Sequence, residues 1–181
     1  MNYWEGKKVR LRSLEPEDHK FFYNWNLNTN TQKNLAWIWF PTSTTSIKNW
    51  IKTEEEKDPM NEEHYFVIET LEGKTVGSIA ANSISKNDGT FRYGLGIIAS
   101  ERKKGYASEA IKIFVNYYFN ELRFNKVNAG VFEFNEGSIK LHERFGMIQE
   151  GRLRQNKYTD GKFWDLLLFG MTKDEFNSKY K

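Results

Sequence analysis

Between Tyr65 and residue 98 the chain alternates strand-like runs with tight acid–Gly turns, and this pattern constrains the fold more than any other feature. The apolar runs Tyr65–Thr70, 74–83 and 90–98 are separated by Glu72-Gly73 and Asn87-Asp88-Gly89. Acidic or Asn/Asp-Gly pairs between such runs favour hairpins, so the centre reads as an antiparallel meander of three strands. Directly behind it, Ala107, Ala110, Ile111, Phe114, Val115, Tyr118, Phe119 and Leu122 recur at three- and four-residue steps. That spacing puts them on one continuous apolar stripe of a long helix, which must bury against a sheet.

The flanks fit the same architecture. Val9–Arg12 alternates as a short strand, and Glu15-Pro16-Glu17-Asp18 places proline and acids where a first helical turn favours them. Residues 19–60 are helical in character but irregular, with a second helix expected over 46–57, ending before Asp58-Pro59. After the long helix come a strand at Lys126–Phe132, a helix over 137–145 stopped by Gly146, and two strands meeting at Tyr158-Thr159-Asp160-Gly161. No repeat, low-complexity tract or linker interrupts the order, so residues 1–181 read as a single α+β domain. Hydrophobic residues at 39%, with aromatics at 16%, supply enough apolar surface for its core.

Several function classes fall away. Without cysteine there is no disulfide, thiolate nucleophile or cysteine-based metal site. His19, His64 and His142 are widely separated and show no metal-ligand spacing, so no metal is expected. A net charge of +3 with interspersed signs does not demand a nucleic-acid partner. The first residues, Met1 to Glu5, lack a signal-peptide stretch, and no apolar run approaches the roughly 20 residues that span a bilayer. The expectation is a cytoplasmic protein with neither membrane nor nucleic-acid partner.

Between the meander and the long helix lies Arg102-Lys103-Lys104-Gly105-Tyr106-Ala107, followed by Ser108. The first amides of a helix have no partners within it and sit at the positive end of its dipole. An anion placed there collects several backbone hydrogen bonds. Gly105 allows close approach, and the cations add charge. The same residues also suit a solvated connecting loop. They fit neither G-x-x-x-x-G-K-[ST] nor G-x-G-x-x-G, which disfavours a nucleotide triphosphatase and a dinucleotide site.

The run from Tyr93 to Ala110 resembles the acetyl-CoA motif of the GNAT N-acetyltransferase superfamily, [Gln/Arg]-x-x-Gly-x-[Gly/Ala] between the fourth strand and the next helix. A second block, Asn135 to Gly151, is similar to that family's downstream motif. The resemblance extends from Gly6 to the last strand, and is nearest to the ribosomal-protein N-terminal and spermidine acetyltransferases. It implies a mixed, mostly antiparallel central sheet of six to seven strands flanked by helices. Pantetheine would lie in a gap where the fourth and fifth strands splay.

What the resemblance implies for single residues follows from the two motifs. Leu95, Gly96 and Ile97 would pair with pantetheine and hold the oxyanion, while Arg102, Lys103, Lys104, Gly105, Tyr106, Ala107 and Ser108 would surround the pyrophosphate. Asn135 would hydrogen-bond the pantetheine arm, with Ser138 and Lys140 near its far end. Asn135 could equally cap a helix, and Lys140 could be solvated. His142 stands where the family often has a tyrosine that protonates the leaving thiolate; a packed histidine satisfied by backbone is the alternative. No carboxylate opens the fourth strand, leaving Glu69, Glu133 and Glu150 as candidate bases. The implied activity is direct acetyl transfer from acetyl-CoA to a primary amine of a polyamine, peptide N-terminus or aminoglycoside. A non-catalytic acyl-CoA-binding module is the alternative, and family habit would make the chain a homodimer. The resemblance puts the acceptor site at Trp25, Trp37, Trp39, Phe40 and Trp50, with Glu54-Glu55-Glu56 and Glu62-Glu63, a rim that would suit a cationic amine; core packing of the aromatics and a solvated acidic face is the better-supported reading of the same residues.

Overall fold

A computed structural model describes residues 2–36, 38–58 and 63–181. The elements run β1 (Val9–Arg12), α1 (His19–Asn26), α2 (Thr29–Leu35), α3 (Thr44–Glu55), β2 (Tyr65–Thr70), β3 (Thr75–Ser85) and β4 (Thr90–Ile97). They continue with α4 (Tyr106–Asn120), β5 (Lys126–Phe132), α5 (Glu136–Phe145), β6 (Ile148–Thr159), β7 (Lys162–Thr172) and α6 (Lys173–Tyr180). The strands form a seven-stranded sheet in the order β1-β2-β3-β4-β5-β7-β6. β1–β2, β2–β3, β5–β7 and β6–β7 are antiparallel, and β4–β5 is parallel, so the sheet is mixed as expected.

The parallel ladder is short. It matches Thr90, Phe91 and Arg92 with Lys126, Val127 and Asn128, and ends before either strand does. On its other side β5 stays paired with β7 along its whole length, from Lys126↔Thr172 to Phe132↔Leu166. This is the splay anticipated between the fourth and fifth strands.

The chain groups into two compact units, one of Met1–Ala81 and Gly94–Phe114, the other of Asn82–Tyr93 and Val115–Lys181. In the first, Leu14, Phe22, Trp25, Ile47, Ile51 and Val67 form a buried cluster on which Phe21, Trp50 and Tyr65 pack. The irregular N-terminal stretch resolves into three helices because two polar caps restart it. Asn28 accepts from the Thr31 amide at 3.0 Å, and Ser43 from the Ser46 amide at 3.1 Å. In the second unit Phe91 stacks on Tyr118 at 4.4 Å between ring centroids, and Phe119 and Phe124 pack edge-on against it. α5 ends as foreseen at Gly146, whose φ of 98° lets its amide reach the His142 and Glu143 carbonyls.

The sequence reading ends the chain on a strand, whereas the structure adds α6. Thr172 and Glu175 form a reciprocal capping box there, and Phe176 is fully buried. Among the described residues no helix is long and apolar enough to cross a membrane.

Candidate active site

In the first unit, β4 leads through a short 3-10 turn, Ala99–Glu101, into the basic turn and α4. Gly96 is buried: a Cβ on it would lie 2.7 Å from Trp25 and 3.1 Å from Leu35, and one on Gly77 would lie 2.1 Å from the Gly96 carbonyl. These two glycines let β3, β4 and α1 approach, which fixes the backbone of half-buried Leu95 and buried Ile97. The Arg102 guanidinium donates through Nε to the Ile97 carbonyl at 3.1 Å, tying the turn back to the strand end.

Lys103 and Gly105 both have positive φ, 64° and 88°, so the backbone doubles back before α4 begins at Tyr106. The first hydrogen bond into the helix is from the Glu109 amide to the Gly105 carbonyl at 3.2 Å. The amides ahead of it, from Tyr106 to Ser108, lie at the positive end of a 15-residue helix. Arg102 to Gly105 are exposed, and Tyr106, Ala107 and Ser108 are half-buried. The residues therefore fit a phosphate group. Lys104, however, is not a free cation: Glu101, itself buried, accepts from Lys104 Nζ at 2.8 Å and from Lys74 Nζ at 2.6 Å. Those two ammonium groups hold the Glu101 carboxyl below the usual carboxylate range.

Two residues outside the motif reach the turn. Glu109, in the first turn of α4, accepts from the amides of Lys7, Lys8 and Val9 at 2.9, 2.7 and 2.9 Å. Lys8 Nζ donates to the Lys104 carbonyl at 3.0 Å. The first-turn acid and the Gly6-Lys7-Lys8 run were visible in the sequence, but nothing local says that they meet.

In the second unit, Asn135 caps α5, its Oδ1 accepting from the Ser138 amide at 3.2 Å. Its Nδ2 has no protein partner among the described residues, so the cap leaves two donors over. Lys140 is exposed and pairs with Glu136 at 3.7 Å. His142 is buried and lies between the rings of Tyr93 and Phe169, at centroid distances of 5.9 and 5.6 Å. His142 Nδ1 is 2.7 Å from the Ser138 carbonyl, which can only accept, so the proton sits on Nδ1 and neutral Nε2 carries a lone pair. Burial holds the imidazole below its usual range, outweighing that hydrogen bond.

The candidate bases are all ion-paired. Burial alone would raise the Glu69 carboxyl, but hydrogen bonds from Arg12 and Arg10 win and lower it. Glu133 pairs with Arg152, which also holds Asp165, and Glu150 pairs with Lys126 at 2.8 Å. Of the residues weighed as an acceptor rim, Trp25 belongs to the core cluster and Trp50 packs against it, while Trp39 and Phe40 are exposed. Glu54 pairs with Lys57 at 2.8 Å, Glu55, Glu56 and Glu63 are exposed, and Trp37 and Glu62 lie outside the described residues. Among the described residues no group of acids and histidines could hold a metal.

Residues 8–148 match the acetyltransferase (GNAT) domain family. The chain belongs to that family. It is thus an acyltransferase of the N-acetyltransferase kind. YokL, an SPbeta prophage-derived uncharacterized N-acetyltransferase of Bacillus subtilis, is 35% identical over 97% of this chain and 96% of its own. The spermidine N(1)-acetyltransferase of Vibrio cholerae is 24% identical over 89% of this chain and 91% of its own. A crystal structure of a Vibrio cholerae spermidine N-acetyltransferase in complex with CoA and spermine superposes with a TM-score of 0.83. It covers 95% of this chain and 99% of that one at 21% identity, which speaks for the fold.

Proposed function

We propose that this chain is a single-domain, acetyl-CoA-dependent enzyme that moves an acetyl group directly onto a primary amine. The observation that carries the reading is the turn before α4, where positive φ at Lys103 and Gly105 brings exposed backbone to the positive end of the helix. Pyrophosphate would be held by the amides of that turn with Arg102 and Lys103. Pantetheine would pair with Leu95 to Ile97 along the part of β4 beyond its ladder with β5; the Nδ2 that the α5 cap leaves over on Asn135 would suit an amide carbonyl. Strand amides at Leu95 to Ile97 would hold the charge that develops on the thioester oxygen.

For the proton steps, a neutral His142 has no proton on Nε2 to give a leaving thiolate, and burial opposes the imidazolium that would. We therefore assign the thiolate's proton to solvent and to His142 a positioning role between Tyr93 and Phe169. The ion-paired carboxylates point to solvent for the amine's proton as well.

Polyamines are the acceptors to test first, because a relative and a structural neighbour carry that substrate in their names. With acetyl-CoA and a panel of polyamines, aminoglycosides and short peptides, the reading predicts amine-dependent release of CoA thiol. Tight CoA binding with no release on any amine would favour a binding module instead.

A further inference from the structure

Lys104 is neutralised by Glu101, which leaves the basic turn short of one of its cations. Lys8 fills that place. Its ammonium makes one hydrogen bond, to the Lys104 carbonyl at 3.0 Å, and among the described residues no carboxylate pairs with it. A Cβ built on Gly105 would lie 2.9 Å from Lys8 Nζ, so the cation occupies the space a side chain at 105 would need. Lys8 reaches the turn because the Glu109 carboxylate gathers the amides of Lys7, Lys8 and Val9, and Gly6 leaves room for it: a Cβ there would come within 2.6 Å of Glu109. A basic residue from the strand β1 entry is thereby built into the N-terminus of α4.

We propose that Lys8 is a further cofactor-binding residue, whose ammonium contacts the pyrophosphate of acetyl-CoA beside Gly105. The inference rests on the proposed acetyl-CoA dependence. It gives Gly105 a second reason to lack a side chain, beyond its positive φ. Two of the three ammonium protons remain for phosphate oxygens, while Lys104 stays on Glu101.

Calorimetric titration of the parent, Lys8→Met and Lys8→Arg with CoA, 3′-dephospho-CoA and pantetheine tests this. Lys8→Met should bind CoA and 3′-dephospho-CoA about tenfold more weakly, as expected for one charge-assisted contact, and pantetheine as the parent does. The gap should narrow with added salt, and Lys8→Arg should retain most of the affinity. Unchanged CoA binding by Lys8→Met, or an equal loss on pantetheine, would overturn the assignment. So would a loss on CoA that is absent with 3′-dephospho-CoA. A parent that does not bind CoA would instead overturn the proposed function, and this inference with it.

Discussion

At the scale of single residues, what local sequence hides is partnership. His142 could be placed on the inner face of its helix from spacing alone, yet its tautomer depends on the Ser138 carbonyl one turn back. The N-terminal aromatics suited either core or rim, and Trp25 is core with Trp50 packed on it while Trp39 and Phe40 are exposed, because a one-dimensional pattern does not say which aromatic faces inward. The Glu109 clamp joins residues about a hundred positions apart, which no motif announces. The depressed imidazole carries a prediction. The unfolded chain takes up a proton near the ordinary value of about 6.5 and the folded His142 resists it, so its stabilising share is present above that pH and is lost as pH falls. Melting points followed from about pH 7.5 to pH 5 should therefore fall less in His142→Phe than in the parent. Equal slopes would show that position 142 bears no such penalty.

At the scale of elements, the strands of the meander, the long helix and Gly146 were legible because period, turn chemistry and cap agree at each. β3 and β4 differ from expectation only at their ends. α3 starts two residues early because Ser43 caps it, a signal present but masked by the polar run around it. α6 was missed although Thr172 and Glu175 have the spacing of a capping box: the apolar run of β7 leads straight into it with no loop between. The helix is anchored by Phe176 and by Tyr180, whose hydroxyl donates to the Phe145 carbonyl at 2.8 Å. Thr172→Ala removes the cap and should cost about 1 kcal/mol in denaturant unfolding, with the slope unchanged. No loss would mean that Phe176 and Tyr180 hold α6 without its cap.

At the scale of the whole molecule, the strand order and the short β4–β5 ladder agree with what two sequence motifs, Arg102 to Ser108 and Asn135 to Gly151, had implied. The proposed phosphate site could be picked out in the sequence because phosphate recognition relies on backbone and therefore leaves a compact motif. No comparably compact motif marks an acceptor site, because the aromatics and acids of the N-terminal helices follow no fixed spacing. The central claim is transfer of an acetyl group from coenzyme A to an amine. Its most direct measurement supplies acetyl-CoA with an isotopically labelled acetyl group and a polyamine, then reads amine, coenzyme and protein by mass spectrometry. The account predicts label on the amine, free CoA, and no labelled protein. Label that stays on the coenzyme with every amine offered, or that accumulates on the protein, would contradict it.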